Sequence, residues 1–168
     1  MKISPAPAPT APAPAPPAAA PQQSVQTLHV QKDQVIEASG EIVWESILEE
    51  FAAGAPANGA PMPMKFEPWP GGRWYRDLGN NAGHFWAHVQ VIKPPKLLEL
   101  CGPLFMSYPA VSHVQYRLTP EGGSTRLTLT HRAIGLIDPQ HATGVGSGWA
   151  KIVEGIRQRA ERRAGGAN

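Results

Sequence analysis

The chain has few charged residues and a single cysteine. Charged residues make up 17% of its 168 residues, below the roughly 25% that is usual in soluble proteins. The single cysteine, Cys101, excludes an intrachain disulfide and any metal site built from several cysteines. Its leucine neighbours indicate a half-buried strand thiol with a packing role. We therefore expect a reducing compartment, the cytoplasm.

Long hydrophobic runs are also missing. No stretch approaches the roughly 20 consecutive apolar residues that a transmembrane helix needs, because prolines interrupt the uncharged N-terminal segment. Lys2 and Ala18 to Ala20 resemble the two ends of a secretory signal, but the leucine-rich centre between them is absent. We expect a soluble protein without a membrane span.

Proline and alanine dominate the first part of the chain. Residues 5–21 hold eight prolines, eight alanines and one threonine, a composition that offers no large side chains for a core. We predict a disordered tail over residues 1–24, a folded domain over 25–163 and a disordered C-terminus over 164–168. The tail favours polyproline II and a spacer role. Recognition by a proline-binding groove is the less favoured alternative.

The formal net charge is only +2, and the local basic excess consists of Arg157, Arg159, Arg162 and Arg163. Cations are favoured near the C-terminal end of a helix because they complement its dipole. No aromatic residues interleave with these arginines, so we expect a solvated helix end and no nucleic-acid partner.

Strand patterns and turn signals follow one another through most of the domain. A first strand is predicted at residues 27–37, and a helix follows it with Ser39 as the N-cap and Phe51 on its inward face. Residues 54–61 are rich in glycine and proline and predict a loop. Hairpin punctuation then separates six further strands, at residues 62–66, 73–78, 83–93, 96–101, 111–119 and 124–133.

The last element is a predicted helix. Apolar residues at helical spacing begin at Trp149 and continue to Ala160, while Gly144 to Gly148 predict a flexible segment that leads into the helix. Short connections require antiparallel neighbours. The order of elements predicts an α+β fold in which a curved antiparallel sheet of about six or seven strands surrounds a long C-terminal helix.

Strand parity locates a candidate ligand pocket between that sheet and helix. Alternate residues of a strand share a face, and the terminal helix contributes its apolar stripe. Together they predict an inward-facing lining of Trp74, Val114, Tyr116, Leu127, Leu129, His131, Trp149, Ile152 and Ile156. His131 has two explanations. It hydrogen-bonds or titrates against a ligand, or it is a core histidine bonded within the protein, which is the more frequent case.

The other candidate motifs do not predict a metal, nucleotide or catalytic site. His84 and His88 lie roughly 13 Å apart along a strand, so they form no zinc pair. Parity places them with Trp86 and Gln90 on the outer face, exposed to solvent. The Gly144 segment lacks the third glycine of a dinucleotide fingerprint, and there is no nucleophile elbow or P-loop. We predict no metal, no cofactor and no catalytic residues.

Five segments resemble the SRPBCC superfamily, which includes START lipid-binding domains and the birch-pollen-allergen type. They are residues 36–44, 70–74, 89–97, 122–131 and 148–149, within a resemblance that covers about residues 24–163. Within the superfamily, the chain is most similar to the branch named after the activator of the ninety-kilodalton heat-shock-protein ATPase. The resemblance implies a helix-grip fold with an internal cavity.

The resemblance also implies three functions. The preferred one is the binding of a small hydrophobic ligand, such as a lipid, in the internal cavity. A protein-interaction or co-chaperone module is an alternative, using the tail or the outer sheet face around Trp86. The naming activator carries a separate chaperone-binding domain where only a tail is expected here, which weakens that alternative. A cyclase or dehydratase acting on a polyketide-type substrate is the third, and it would need an acid and a base in the cavity.

Overall fold

The structure is a computed structural model that describes residues 24–53 and 62–166. Within these residues the chain forms seven strands and two helices. In chain order they are β1 (Gln26–Ile36), α1 (Gly40–Ala53), β2 (Lys65–Phe66), β3 (Arg73–Gly79), β4 (Ala82–Lys93), β5 (Leu97–Gly102), β6 (Ala110–Glu121), β7 (Ser124–Gly135) and α2 (Pro139–Gly165).

The strands form one sheet in the order β1-β7-β6-β5-β4-β3-β2, and each neighbouring pair is antiparallel. Strands β2 to β7 follow one another as the predicted meander. Strand β1 pairs with β7, so it forms one edge of the sheet and β2 forms the other. This arrangement confirms the predicted α+β fold, with a curved antiparallel sheet of seven strands and a long C-terminal helix.

Two β-bulges interrupt β4. Trp86 is an extra residue opposite β3, because Trp74 pairs with Ala87 while Tyr75 pairs with Phe85. Gln90 is likewise unmatched opposite β5. An extra residue bends a strand and increases its twist. Gly102 of β5 fits against the first bulge, since a Cβ atom there would overlap the Trp86 carbonyl oxygen and lie 2.7 Å from Ala87 Cα.

Helix α1 begins where the sequence predicts. The Ser39 hydroxyl oxygen accepts a hydrogen bond from the Ile42 backbone N–H at 3.4 Å, as expected of an N-cap. Val43, Ile47 and Phe51 are buried on its inner face. These side chains place the end of α1 beside the concave side of the sheet.

The prediction for the start of α2 was wrong. The helix begins at Pro139, so Gly144 to Gly148 lie inside it and do not form a flexible lead-in segment. The Asp138 carboxylate accepts a hydrogen bond from the Gln140 backbone N–H at 2.8 Å, and proline suits the first helical position. This cap, with burial of Val145 and Trp149 on the inner face, offsets the low helix propensity of the glycines.

At its other end α2 extends beyond the predicted boundary. It continues to Gly165, so Ala164 and Gly165 are helical although we predicted a disordered terminus from residue 164. Apart from Ser24, the predicted tail lies outside the described residues, as does the predicted loop at residues 54–61. Both stay predictions.

The arginine cluster joins the two helices. Arg159 donates to the Glu50 carboxylate of α1 at 2.8 Å, and Arg163 pairs with Glu45 of α1 at 3.3 Å. Arg157 bonds acidic residues of α2 itself. The expectation of a solvated helix end holds for Arg162 and Arg163, which are exposed, whereas Arg159 pairs with the acidic face of α1.

Neither helix among the described residues combines the length and the apolar composition needed to cross a membrane.

We expect Gly146→Ala to stabilise the fold. A Cβ atom at Gly146 meets nothing within 4 Å, and alanine in a helix interior is favoured over glycine by about 0.5–1 kcal/mol. Urea denaturation should show the gain. Gly102→Ala is the matched control and should lower the free energy of unfolding, because its Cβ would meet the backbone of β4. A loss of stability in Gly146→Ala would contradict the account of α2.

Candidate functional site

Helix α2 is fixed to the sheet by a buried pair of side chains. The indole N–H of Trp149 donates to His131 Nδ1 at 2.9 Å, and the exposed fractions of the two residues are 2% and 0%. An indole nitrogen can only donate, so Nδ1 of the imidazole must be the acceptor and its proton lies on Nε2. Nε2 is buried and has no hydrogen-bond partner among the described residues.

Burial lowers the pKa of His131 to about 4. The neutral ring is therefore the folded form at neutral pH, and only this form can accept from Trp149. Since its Nδ1 is bonded within the protein, the structure agrees with the more frequent explanation, a bonded core histidine.

Six aromatic side chains form a closed circuit in front of this pair, which we call the aromatic belt. Consecutive ring centroids lie 4.7 to 6.4 Å apart, the usual range for interacting aromatic pairs. Trp74 is further fixed by its indole N–H, which donates to the Phe51 carbonyl oxygen at 3.1 Å. In circuit order the members are Phe51, Trp74, Trp86, Phe105, Trp149 and Tyr116.

A cavity of about 720 Å³ lies between the belt and the N-terminal half of α2. The helix supplies a stripe at helical spacing, and Lys151 lies beside it. The belt supplies Trp74, Trp86 and Phe105, and Glu50 and Met62 complete the lining. The residues of the helical stripe are His141, Gly144, Val145, Gly148, Trp149 and Ile152.

The outer side of the cavity is bordered by glycines and polar groups. Gly144, Gly148 and Lys151 are exposed, and a Cβ atom at either glycine would meet nothing within 4 Å. His141 Nδ1 and the Tyr108 hydroxyl are hydrogen-bonded at 2.7 Å. The absence of glycine side chains leaves this side of the cavity unobstructed.

Trp86 lies opposite to where parity placed it. We predicted an outer-face position, but the bulge in β4 shifts the alternation, and Trp86 lines the cavity against Trp74 with ring centroids 4.8 Å apart. The Trp86 carbonyl oxygen accepts from the Leu104 backbone N–H at 2.7 Å, which holds the bulge in place. The proposed interaction face around Trp86 thus loses its central residue.

A second, smaller space of about 10 Å³ adjoins the cavity. Its lining includes Tyr116 and Phe51 and shares Glu50, Trp74, Trp86 and Ile152 with the cavity, so it lies at the inner end. The Tyr116 hydroxyl is buried and has no hydrogen-bond partner among the described residues. Burial, and secondly the charge of Glu50, raise the pKa of Tyr116. The Glu50 carboxylate accepts from Arg159.

The predicted pocket residues divide into two groups. Trp74, Trp149 and Ile152 line the cavity, and Tyr116 lines the inner space. The other five are fully buried in the core and line neither space. They are Val114, Leu127, Leu129, His131 and Ile156. A role in ligand binding stays a prediction for all nine.

The histidines excluded as a zinc pair lie apart from the cavity. His84 and His88 are exposed on β4, and His88 Nδ1 lies 3.1 Å from the Gly71 carbonyl oxygen. Across the ranges 24–53 and 62–166, no group of three or more His, Cys, Asp or Glu residues could hold a metal ion.

Some residues of the site had a signal in the sequence that our predictions missed. Asp138-Pro139 is a helix-start signal, and it would have placed His141 and Gly144 on the face of α2 that carries Trp149. Glu50 lies one turn after Ile47 on the inner edge of α1. Trp86 and Phe105 had no such signal, because a bulge and a long loop position them.

Comparison with known proteins identifies the family. The model of the family described as Activator of Hsp90 ATPase homolog 1-like protein matches residues 37–161. The chain belongs to this family. The family assignment agrees with the resemblance to the SRPBCC superfamily and to this branch. Among curated protein sequences there is no match.

Several solved structures share the fold of this family member at low identity. A putative uncharacterized protein from Rhizobium leguminosarum is 15% identical with a TM-score of 0.64, over 83% of this chain and 97% of that one. CalU16 from Micromonospora echinospora is 19% identical with a TM-score of 0.55, over 84% and 89%. DynU16, a putative protein in the dynemicin biosynthetic locus, is 18% identical with a TM-score of 0.56, over 79% and 47%. At such identities the likeness shows the fold alone.

The free energy of unfolding should decrease as the pH drops, because of His131. The folded pKa of about 4 lies below the ordinary 6.5, so the unfolded chain binds the proton first as the pH drops. Above pH 6.5 the neutral ring makes its full contribution to the free energy of unfolding. About 3 kcal/mol of this free energy is lost between pH 6.5 and 4.

Urea denaturation at pH 7 and pH 4.5 measures this loss. His131→Gln should be less stable at pH 7 but should lose less on acidification, whereas the exposed His84→Gln should behave like the parent. If His131→Gln and the parent lose the same stability on acidification, the assignment of this loss to His131 is contradicted.

Proposed function

We propose that this protein binds a small, largely apolar ligand in the cavity between the aromatic belt and α2. The observation that supports this best is a cavity of about 720 Å³ with aromatic walls and an unobstructed outer side. Ligand sites usually measure roughly 300–1,000 Å³ and combine apolar walls with a few polar groups. Here the polar groups are Glu50, His141 and Lys151.

The walls favour a ligand with rings. Trp74, Trp86 and Phe105 contribute flat faces and edges, which stack on or meet the edge of a planar molecule. Lys151 and His141 lie near the outer side, where a polar end of the ligand would stay close to solvent. A purely charged ligand would leave most of this wall without a partner.

An enzyme acting on a polyketide-type substrate is the second candidate. Tyr116 and Glu50 supply a proton donor and a proton acceptor to one space at the inner end of the cavity, the pairing that acid–base chemistry requires. The likeness to DynU16, from a biosynthetic locus, is compatible with it. A released ligand whose mass changes on incubation with the protein would favour this candidate over simple binding.

The protein-interaction alternative rests on the family description, which concerns activation of the Hsp90 ATPase. With Trp86 lining the cavity, the outer sheet face offers less support for that alternative than the cavity offers for a ligand.

We expect the uncharged fluorophore N-phenyl-1-naphthylamine to bind and to quench tryptophan fluorescence, since three tryptophans line the cavity. Gly148→Leu should weaken binding at least about tenfold, because the new side chain would occupy the outer side of the cavity. Fluorescence titration provides the affinities.

Gly146→Leu is the matched control on the same helix. Gly146 is outside the cavity lining, and its Cβ also meets nothing, so this variant should bind like the parent. Mass spectrometry of organic extracts from the purified protein tests for a resident ligand. No fluorophore binding, or identical behaviour of the two leucine variants, would refute the proposal.

A further inference from the structure

The inner end of the cavity contains a polar group that lacks a partner. The Tyr116 side chain is 0% exposed, and its hydroxyl makes no hydrogen bond within the described residues. More than about 90% of buried polar groups in proteins have a partner. Within residues 24–53 and 62–166, the Tyr116 hydroxyl is therefore free to bond a group of a bound ligand.

The space beside Tyr116 has room for one small group. Its volume of about 10 Å³ corresponds to a single water-sized atom group. Phe51, Trp74 and Ile152 provide apolar walls, and Glu50 is the one acidic residue in its lining. Tyr116 brings a hydroxyl and Glu50 a carboxylate to this lining.

Tyr116 and Glu50 have opposite hydrogen-bonding roles. Burial raises the pKa of Tyr116, so its hydroxyl stays protonated and can donate. The Glu50 carboxylate is held by Arg159 at 2.8 Å and can accept at its remaining lone pairs. The Glu50 carboxylate also lies against Gly155 of α2, where a Cβ atom would be in van der Waals contact with it at 3.5 Å.

We infer that the inner space recognises one hydroxyl group of the ligand, which accepts a hydrogen bond from Tyr116 and donates one to Glu50. The inference rests on the proposed function and narrows the ligand to an apolar ring molecule with a hydroxyl at its buried end.

Other polar groups fit this pair less well. A ketone oxygen accepts from Tyr116 but offers no proton to the Glu50 carboxylate. A ligand carboxylate brings a second negative charge against Glu50, and an ether or a halogen offers no donor. Leaving a buried polar group without its partner is costly, so discrimination should be strong.

Binding of 2-naphthol and 2-fluoronaphthalene tests the inference, because the two compounds have nearly the same shape and only naphthol donates. Isothermal titration calorimetry should show naphthol binding about tenfold more tightly. The apolar environment alone predicts the reverse order, since the hydroxyl is the better hydrated substituent.

Variants assign the preference to the two residues. Tyr116→Phe should abolish the preference for naphthol. Glu50→Gln should reduce it to about threefold, because a neutral amide is a weaker acceptor than a carboxylate. Tyr75→Phe and Glu49→Gln are the matched controls and should keep the full preference, as neither residue lines the cavity or the inner space.

The folding of Tyr116→Phe can be checked separately. Its thermal unfolding temperature should be equal to or above that of the parent, since the variant removes an unpartnered buried hydroxyl. A stable variant with an unchanged preference overturns the inference.

The outcomes separate the two proposals. If the fluorophore binds but naphthol and fluoronaphthalene bind equally, ligand binding stands and hydroxyl recognition falls. If neither the fluorophore nor the naphthalenes bind, the proposed function falls and the inference falls with it.

Discussion

The hydrogen bond from Trp149 to His131 is the contact on which the rest of the structure depends. It joins the long helix to strand β7 of the sheet at 2.9 Å in a fully buried place. The bond exists only while the imidazole is neutral, and burial itself keeps it neutral by lowering its pKa. Once Trp149 is fixed, its ring contacts Tyr116 and Phe105, and the aromatic belt closes from there.

Helix α2 has a different role on either side of this contact. Towards its C-terminus, Val153, Ile156 and Ala160 are buried, and Arg159 ties it to α1. Towards its N-terminus, Gly144 and Gly148 present no side chains to the sheet. Because the bulges bend β4 in the same region, the helix and sheet do not fill the space between them. A cavity results at one end of an otherwise close-packed core.

The residues that determine the fold differ from those that determine ligand selectivity. Family membership and the likeness to distant structures concern the sheet, the helix and their order, which low identity leaves intact. Selectivity depends on a few side chains at the cavity wall, which vary freely once the core is packed. In this chain we infer that Tyr116 and Glu50 are such side chains, because both line one small space within apolar walls.

The strands, the first helix and the curved sheet around a C-terminal helix could be predicted from the sequence, because alternation, helical periodicity and turn residues are local signals. The sequence also placed Trp74, Trp149, Ile152 and Tyr116 on the inner side. Only the tertiary structure decided which inward side chains border empty space and which are packed. A bulge of one residue reverses strand parity, so Trp86 lines the cavity, and the belt leaves His131 in the core. Both depend on contacts between distant segments, which local pattern does not encode.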